Sequence, residues 1–237
     1  MPATTVSELW VVSLGQVSYG DAELLQERAR AARQAEAIPD CLLLLEHPPV
    51  YTKGRRTEPS DLPMGEQWYR MQGVDVRDAD RGGQVTYHGP GQLVGYPIVR
   101  VASVHDYVHV LEAAIIAALA DEGIAAEVRE GLTGVWAGAA GGSAKIGSIG
   151  VHISRGVATH GFAVNVDNDL QPFEWIVTCG SGDVRMTSLL KETGRTGAMP
   201  CFRRRVAWRL AQGLDRRQRL VSAARLRAAI ERPAVPA

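Results

Sequence analysis

A chain of 237 residues with 46% hydrophobic content has enough apolar surface for one large domain or two small ones, which excludes a disordered or fibrous protein. Its 26 basic residues equal its 26 acidic ones, so no overall field favours nucleic acid or an anionic membrane. Three cysteines without a Cys-x-x-Cys pair exclude a disulfide framework and a thiolate zinc ribbon.

The opening stretch "MPATTVSELWVV" lacks the basic start and long apolar core of a signal peptide, and no run reaches membrane-span length, so a cytoplasmic site is expected. "ELWVVSLG" predicts a first strand. Asp21 is placed to cap a helix running to about Ala37, with Leu24, Leu25, Ala29 and Ala32 as its apolar stripe. "CLLLLEH", short and continuously apolar between Pro39 and Pro48, predicts a strand buried on both faces, with Cys41 in the core. Lys53 to Met64 reads as a loop, and "GVDVRDADRGG" as a strand edge.

"RGGQVTYHGPGQLVGYP", Arg81 to Pro97, suggests a phosphate cradle, because glycines let backbone N–H groups close on an anion. It has neither the Gly-Lys-Ser/Thr ending of a phosphate loop nor a helix after its glycines, since "QLVGYPIV" reads as a strand. A long helix is predicted from about His105 to Glu122. Its signals are the shared face of Val108, Leu111, Ile115 and Leu119, the capping-box spacing of Ser103 and Asp106, and the stop at Gly123.

"IAAEVRE", "TGVWAG", "KIGSIGVHIS" and "VATHGFAVNV" are short strand-like segments between glycine turns, and "FEWIVT" reads as another strand, leading into "CGSGD". Two helices close the chain, Cys201 to Gly213 and an Arg/Ala-rich one over Asp215 to Glu231. Strictly alternating βαβ units are missing, so the fold class expected is α+β, a mixed β-sheet flanked by helices. Residues 1–213 are taken as the main domain and 214–237 as an Arg/Ala-rich helical tail. From Cys201 onward ten arginines face two acids, a net +8 that leaves −8 over the first 200 residues. Solvated helix faces or a docking patch for an acidic partner both fit that asymmetry.

Among the cysteines, Cys179 stands at a strand-to-glycine turn where backbone amides can approach a substrate oxygen. A nearby cation would favour its thiolate. Strict alternation in "KIGSIGVHI" puts Lys145 on the side of Ile149, Val151 and Ile153, where burial would favour the neutral amine; alternatively, Lys145 begins the strand and points to water. His88, His152 and His160 sit in glycine-flanked strand contexts without ligand spacing, so no metal is expected and structural histidines shaping a pocket are.

Taken together, "LLLLEHPPVYTKGRR", "RGGQVTYHGPGQLVGYP", "KIGSIGVHI", "THGFAVNVD", "CG" and "MTSLLKE" occur in an order that resembles the lipoyl(octanoyl) transferases, octanoyl-[acyl carrier protein]:protein N-octanoyltransferases. The resemblance implies the fold of the biotin/lipoate protein ligase catalytic domain, with a smaller second sheet. It also implies an acyltransferase (EC 2.3.1.181) of lipoate biosynthesis, in which octanoyl-acyl carrier protein gives its acyl group to a cysteine and then to a lysine of a lipoyl domain. The acceptors implied are lipoyl domains of 2-oxoacid dehydrogenase complexes and the glycine cleavage H protein. No separate cofactor is implied, the acyl group arriving on the phosphopantetheine of the carrier.

Residue by residue, Cys179 matches the acyl-enzyme cysteine and Lys145 the lysine held to activate it. The acyl-substrate contacts match Arg81, Gly82, Gly83, Gln84, Val85, Thr86, Tyr87 and His88, then Ser148, Ile149 and Gly150, then Gly161, Phe162 and Ala163. Thr178 replaces the family's usual proline before the cysteine, and "AGAAGGSAK" before Lys145 is unusually small and glycine-rich. Two other functions share these features: an ATP-dependent lipoate or biotin protein ligase, which would work without Cys179, and a carrier-protein-binding module that performs no turnover.

Overall fold

The computed structural model describes residues 7–138, 144–177 and 184–231. In chain order these form β1 (Glu8–Gln16), α1 (Tyr19–Gln34), β2 (Asp40–Glu46), β3 (Val50–Lys53), α2 (Glu66–Met71), β4 (Asp75–Asp78), β5 (Thr86–His88), β6 (Gln92–Ile98), α3 (Val104–Ala120), β7 (Ala126–Arg129), β8 (Leu132–Ala137), β9 (Ala144–Ser154), β10 (Val157–Asn165), α4 (Leu189–Thr193), α5 (Met199–Gly213), β11 (Arg217–Leu220) and α6 (Ala223–Ile230), with short 3-10 turns at Pro59–Asp61 and Gln171–Trp175.

The large sheet has the order β11-β1-β2-β6-β10-β9-β8-β7, and a three-stranded sheet has the order β4-β3-β5. β11, β1 and β2 run parallel, and every pair from β2 across to β7 is antiparallel. Period-two alternation sends Leu42 and Leu44 to the core beneath α3 and α5, and Cys41, Leu43 and Leu45 to the core beneath α1 and α6. This is why "CLLLLE" is apolar without a break. Burial pushes the Cys41 thiol up to about 12, as expected of an inert core cysteine. The small sheet closes its own core, in which Tyr51 meets Tyr69 and Tyr87 meets Phe173 edge to face, while the Tyr51 and Tyr87 rings are tilted to each other.

Helix α3 begins as its sequence predicts, with Ser103 Oγ accepting the Asp106 N–H at 3.3 Å. Helix α1 does not. Its cap is Ser18, which accepts the Asp21 N–H at 3.2 Å, so the helix opens at Tyr19 and turns Leu24 to solvent while Tyr19, Ala22, Leu25 and Ala29 are buried.

Three expectations are corrected. The described part of "FEWIVT" is not a strand, since Phe173 to Trp175 lie in the 3-10 turn that packs the small sheet. The helix expected over Asp215 to Glu231 is divided: Arg217–Leu220 extends the sheet beside β1, and only Ala223–Ile230 is helical. Arg, Gln and Leu favour helix locally, but the open edge of β1 offers a row of backbone partners that outweighs this preference. The third correction concerns β9. Trp136 faces Lys145 across the ladder, whereas Val135 faces Gly147. The extra residue, Ile146, is a bulge that turns Lys145 to the face opposite Ile149, Val151 and Ile153.

Candidate functional site

A cleft of about 760 Å³ opens where the loop after β4 crosses β9 and β10, a size suited to a small organic ligand. All three stretches singled out by the sequence meet there. Arg81, Gly82, Gly83, Gln84, Val85, Thr86 and His88 line one wall, while Ser148, Ile149 and Gly150 on β9 face Gly161, Phe162 and Ala163 on β10. Tyr87 does not line the cleft; it alternates away into the small-sheet core beside Tyr51 and Phe173. The loop is stitched to the strand by the Gly82 N–H, which donates to Val151 O at 3.0 Å. Side chains are excluded at this crossing, because a Cβ at Gly150 would lie 3.0 Å from Gly82 O and 3.1 Å from Arg81 Cδ. Val85, Val108, Leu132, Ile149, Phe162 and Ala163 give the cleft its apolar lining.

Two of its polar groups, Arg81 and His88, are buried and tied down. The Arg81 guanidinium, 8% exposed, donates to Thr52 O at 2.6 Å, Thr52 Oγ1 at 2.8 Å and Gly82 O at 3.0 Å. Burial among these neutral oxygens lowers its pKa from the ordinary arginine value. His88 Nδ1 donates to Gln92 Oε1 at 2.7 Å, because the Gln92 amide nitrogen is already directed at Tyr87 O and Asn165 Oδ1. Burial holds His88 well below the ordinary histidine value, so its ring is neutral.

His152 and His160 converge on Asp80 instead, at 3.6 Å and 2.5 Å. The His160 bond pulls the Asp80 carboxyl down to about 2, and burial lowers His152. Among the described residues no cluster of His, Cys, Asp and Glu has the arrangement of a metal site. The sequence reasoning passed over Tyr19, His47 and Tyr96. His47 Nδ1 donates to Val17 O at 2.7 Å, so its Nε2 accepts the Tyr96 hydroxyl, also at 2.7 Å. Their contacts are long-range, and the only local signal was a histidine closing an apolar strand.

Lys145 is 5% exposed, so the reading in which it points to water is overturned. Nζ donates to Thr133 O at 3.0 Å and lies 4.9 Å from the centre of the Trp136 ring. Its main chain is gripped on the other side, with its N–H donating to Arg185 O at 2.8 Å and its carbonyl accepting the Thr187 N–H at 3.0 Å. Met186, between those two residues, lines the cleft beside Lys145. Cys179 and Thr178 lie outside the described residues, as do most of "AGAAGGSAK" and the "GSGD" stretch.

The profile of the lipoyl protein ligase A/B catalytic domain matches residues 18–211. The chain is 46% identical over 213 residues to an octanoyltransferase of Mycobacterium ulcerans, covering 86% of this chain and 88% of that one. Among solved structures it is similar to a bipartite lipoate protein ligase from Thermoplasma acidophilum, with a TM-score of 0.69 at 14% identity over 96% of this chain and 94% of that one. A biotin protein ligase from Aquifex aeolicus follows at a TM-score of 0.50 and 14% identity, over 87% of this chain and 69% of that one. At these identities the structural likenesses establish the fold alone: a mixed sheet flanked by helices beside a smaller sheet.

Proposed function

Because the chain belongs to the octanoyltransferase family, acyltransferases of lipoate biosynthesis built on the lipoyl protein ligase A/B catalytic domain, we propose that it moves octanoyl from octanoyl-acyl carrier protein to a lipoyl-domain lysine through a thioester on Cys179. The observation that carries this reading is the meeting of an apolar cleft with a buried lysine, Lys145, beside the chain segment that follows Cys179.

In the first step the Cys179 thiolate attacks the thioester carbonyl, a new C–S bond forms, and the phosphopantetheine thiolate leaves. Lys145 favours the attacking thiolate by its charge or by taking its proton, and that proton then passes to the departing phosphopantetheine thiolate, which leaves Lys145 able to accept one in the second step. In the second step the ε-amine of the acceptor lysine attacks the acyl-enzyme, the amine proton passes to Lys145, and the Cys179 thiolate is released. An amide is more stable than the thioester consumed, so no ATP and no further cofactor enter. Arg81 to His88, Ser148 to Gly150 and Gly161 to Ala163 hold the C8 chain, each buried methylene contributing about 0.8 kcal/mol. Tyr87 acts in this only indirectly, by seating the strand that carries His88.

The acceptors are lipoyl domains, including those of 2-oxoacid dehydrogenase complexes and the glycine cleavage H protein, and the reaction is cytoplasmic, in keeping with unpaired thiols at Cys41 and Cys201. The test is intact mass after exposure to octanoyl-acyl carrier protein without ATP. Wild type should carry an octanoyl adduct that passes to a lipoyl domain, and Cys179→Ser should carry none. Transfer that requires ATP and free octanoate, and survives Cys179→Ser, would assign the chain to the ligases instead.

A further inference from the structure

The peptide between Thr133 and Gly134 is held at both of its polar ends. Its carbonyl accepts Lys145 Nζ at 3.0 Å, and its N–H donates to Glu112 Oε1 at 3.0 Å. Glu112 projects from α3 and is 5% exposed, with Leu111 and Ile115 of the same helix in the apolar core. Its other oxygen, Oε2, faces His109 Nδ1 at 3.1 Å. A buried carboxylate is costly unless its lone pairs are filled, and one of its bonds goes to the peptide that anchors the lysine. The approach is as close as the chain permits. Gly134 has φ +126°, and a Cβ there would stand 2.8 Å from Lys145 Cε and 2.6 Å from Gly147 O.

We propose that Glu112 is a positioning residue for Lys145, acting through the Thr133–Gly134 peptide. Drawing on the N–H, the carboxylate fixes the plane of that peptide and enriches the opposite carbonyl in negative charge, so the acceptor offered to Lys145 Nζ is both oriented and strengthened. Among the described residues, the other titratable or charged groups around the pair are His109 and His105 on α3, whose Nε2 atoms are 3.2 Å apart, Glu127 on β7, which stands opposite Trp136 in the ladder, Arg129 on β7, whose guanidinium lies 5.9 Å from the Trp136 ring, and Arg185, whose carbonyl accepts the Lys145 N–H. Glu112 is thus an acidic group joined to Lys145 through one shared peptide. The inference rests on the role given to Lys145 above.

The test is single-turnover octanoylation by octanoyl-acyl carrier protein, followed by intact mass across pH, for wild type, Glu112→Gln, Glu112→Asp, Lys145→Ala and the Glu112→Gln/Lys145→Ala pair. Glu112→Gln keeps an oxygen for the Gly134 N–H but removes the charge that the carboxylate sets across the shared peptide from the lysine. One limb of the pH–rate profile should therefore move to lower pH, with about a tenfold change in rate between the old and new limbs. Glu112→Asp keeps the charge and should return the limb toward its wild-type position. In the Lys145→Ala background the Glu112→Gln change should have no further effect.

An unmoved limb in Glu112→Gln, or an equal loss in both backgrounds, would overturn the inference while leaving the acyl-enzyme reading intact. Should Glu112→Gln fail to fold, a limb in Glu112→Asp displaced as far as the loss of charge predicts would overturn it as well. A wild-type protein that takes up no octanoyl group would overturn both.

Discussion

An alanine at Gly95 would put its Cβ 2.1 Å from Phe162 Cζ, across the ladder where the two residues are direct partners. Phe162 lines the cleft, so this glycine on β6 decides where the aromatic ring can lie. Gly95→Ala should lower stability by about 1–3 kcal/mol through overpacking. By pushing the ring into the cleft it should also raise KM for octanoyl more than for a shorter acyl chain. Urea midpoints and acyl-chain-length profiles check the two parts, and equal KM changes for C4 and C8 donors would count against the ring displacement. The glycine and its strand are both visible in "QLVGYP", but the reason for the glycine is a partner far along the chain. Lys145 differs, since its pattern was visible and misleading: the alternation of "KIGSIGVHI" is broken by a bulge that depends on where β8 happens to lie.

At the scale of elements, β11 and α6 turn an arginine-rich terminus into part of the fold. β11 continues the sheet beyond β1, and α6 buries Leu226 against the same core as Trp10, Ala22 and Leu25. Leu226→Ala should cost about 2–5 kcal/mol, as for other fully buried leucines, measured as a fall in the urea midpoint; a change below about 0.5 kcal/mol would show that the element is peripheral. Cap and periodicity made α3 legible because they act within a few residues. A parallel edge strand has no comparable local signature, because its hydrogen bonds all go to a partner some two hundred residues away.

Across the whole molecule, the charge asymmetry of the sequence resolves into ion pairs. Arg203 meets Glu46, Arg205 meets Glu122, Arg209 meets Asp121, Arg216 meets the buried Asp40, and Arg217 and Arg219 meet Glu8. The basic terminus therefore binds the acidic body of the same chain, which leaves less of it for an acidic partner. Acid stability follows from the buried histidines. Burial pushes His47 down to about 4 from an ordinary value of 6.5, and His88 shifts in the same direction. The unfolded chain then takes up protons that the folded one refuses. Stability is present above about pH 6.5 and is lost as pH falls toward 4, by up to about 3 kcal/mol for His47. Urea midpoints between pH 7 and pH 4 should fall accordingly, and a flat series would refute the assignment of neutral buried rings.

By itself the sequence determined the family, the α+β class, the buried β2, the capped α3 and the three stretches that meet at the cleft, because motif order, apolar runs and capping residues are local properties of the chain. Only the tertiary structure decided that Tyr87 leaves the cleft wall, that Lys145 changes face, that Arg217 to Leu220 form a strand, and that Glu112 meets the peptide holding Lys145. Each of these depends on register or on a partner remote in sequence, and the free energy that selects it comes from contacts that exist only once the sheets have closed.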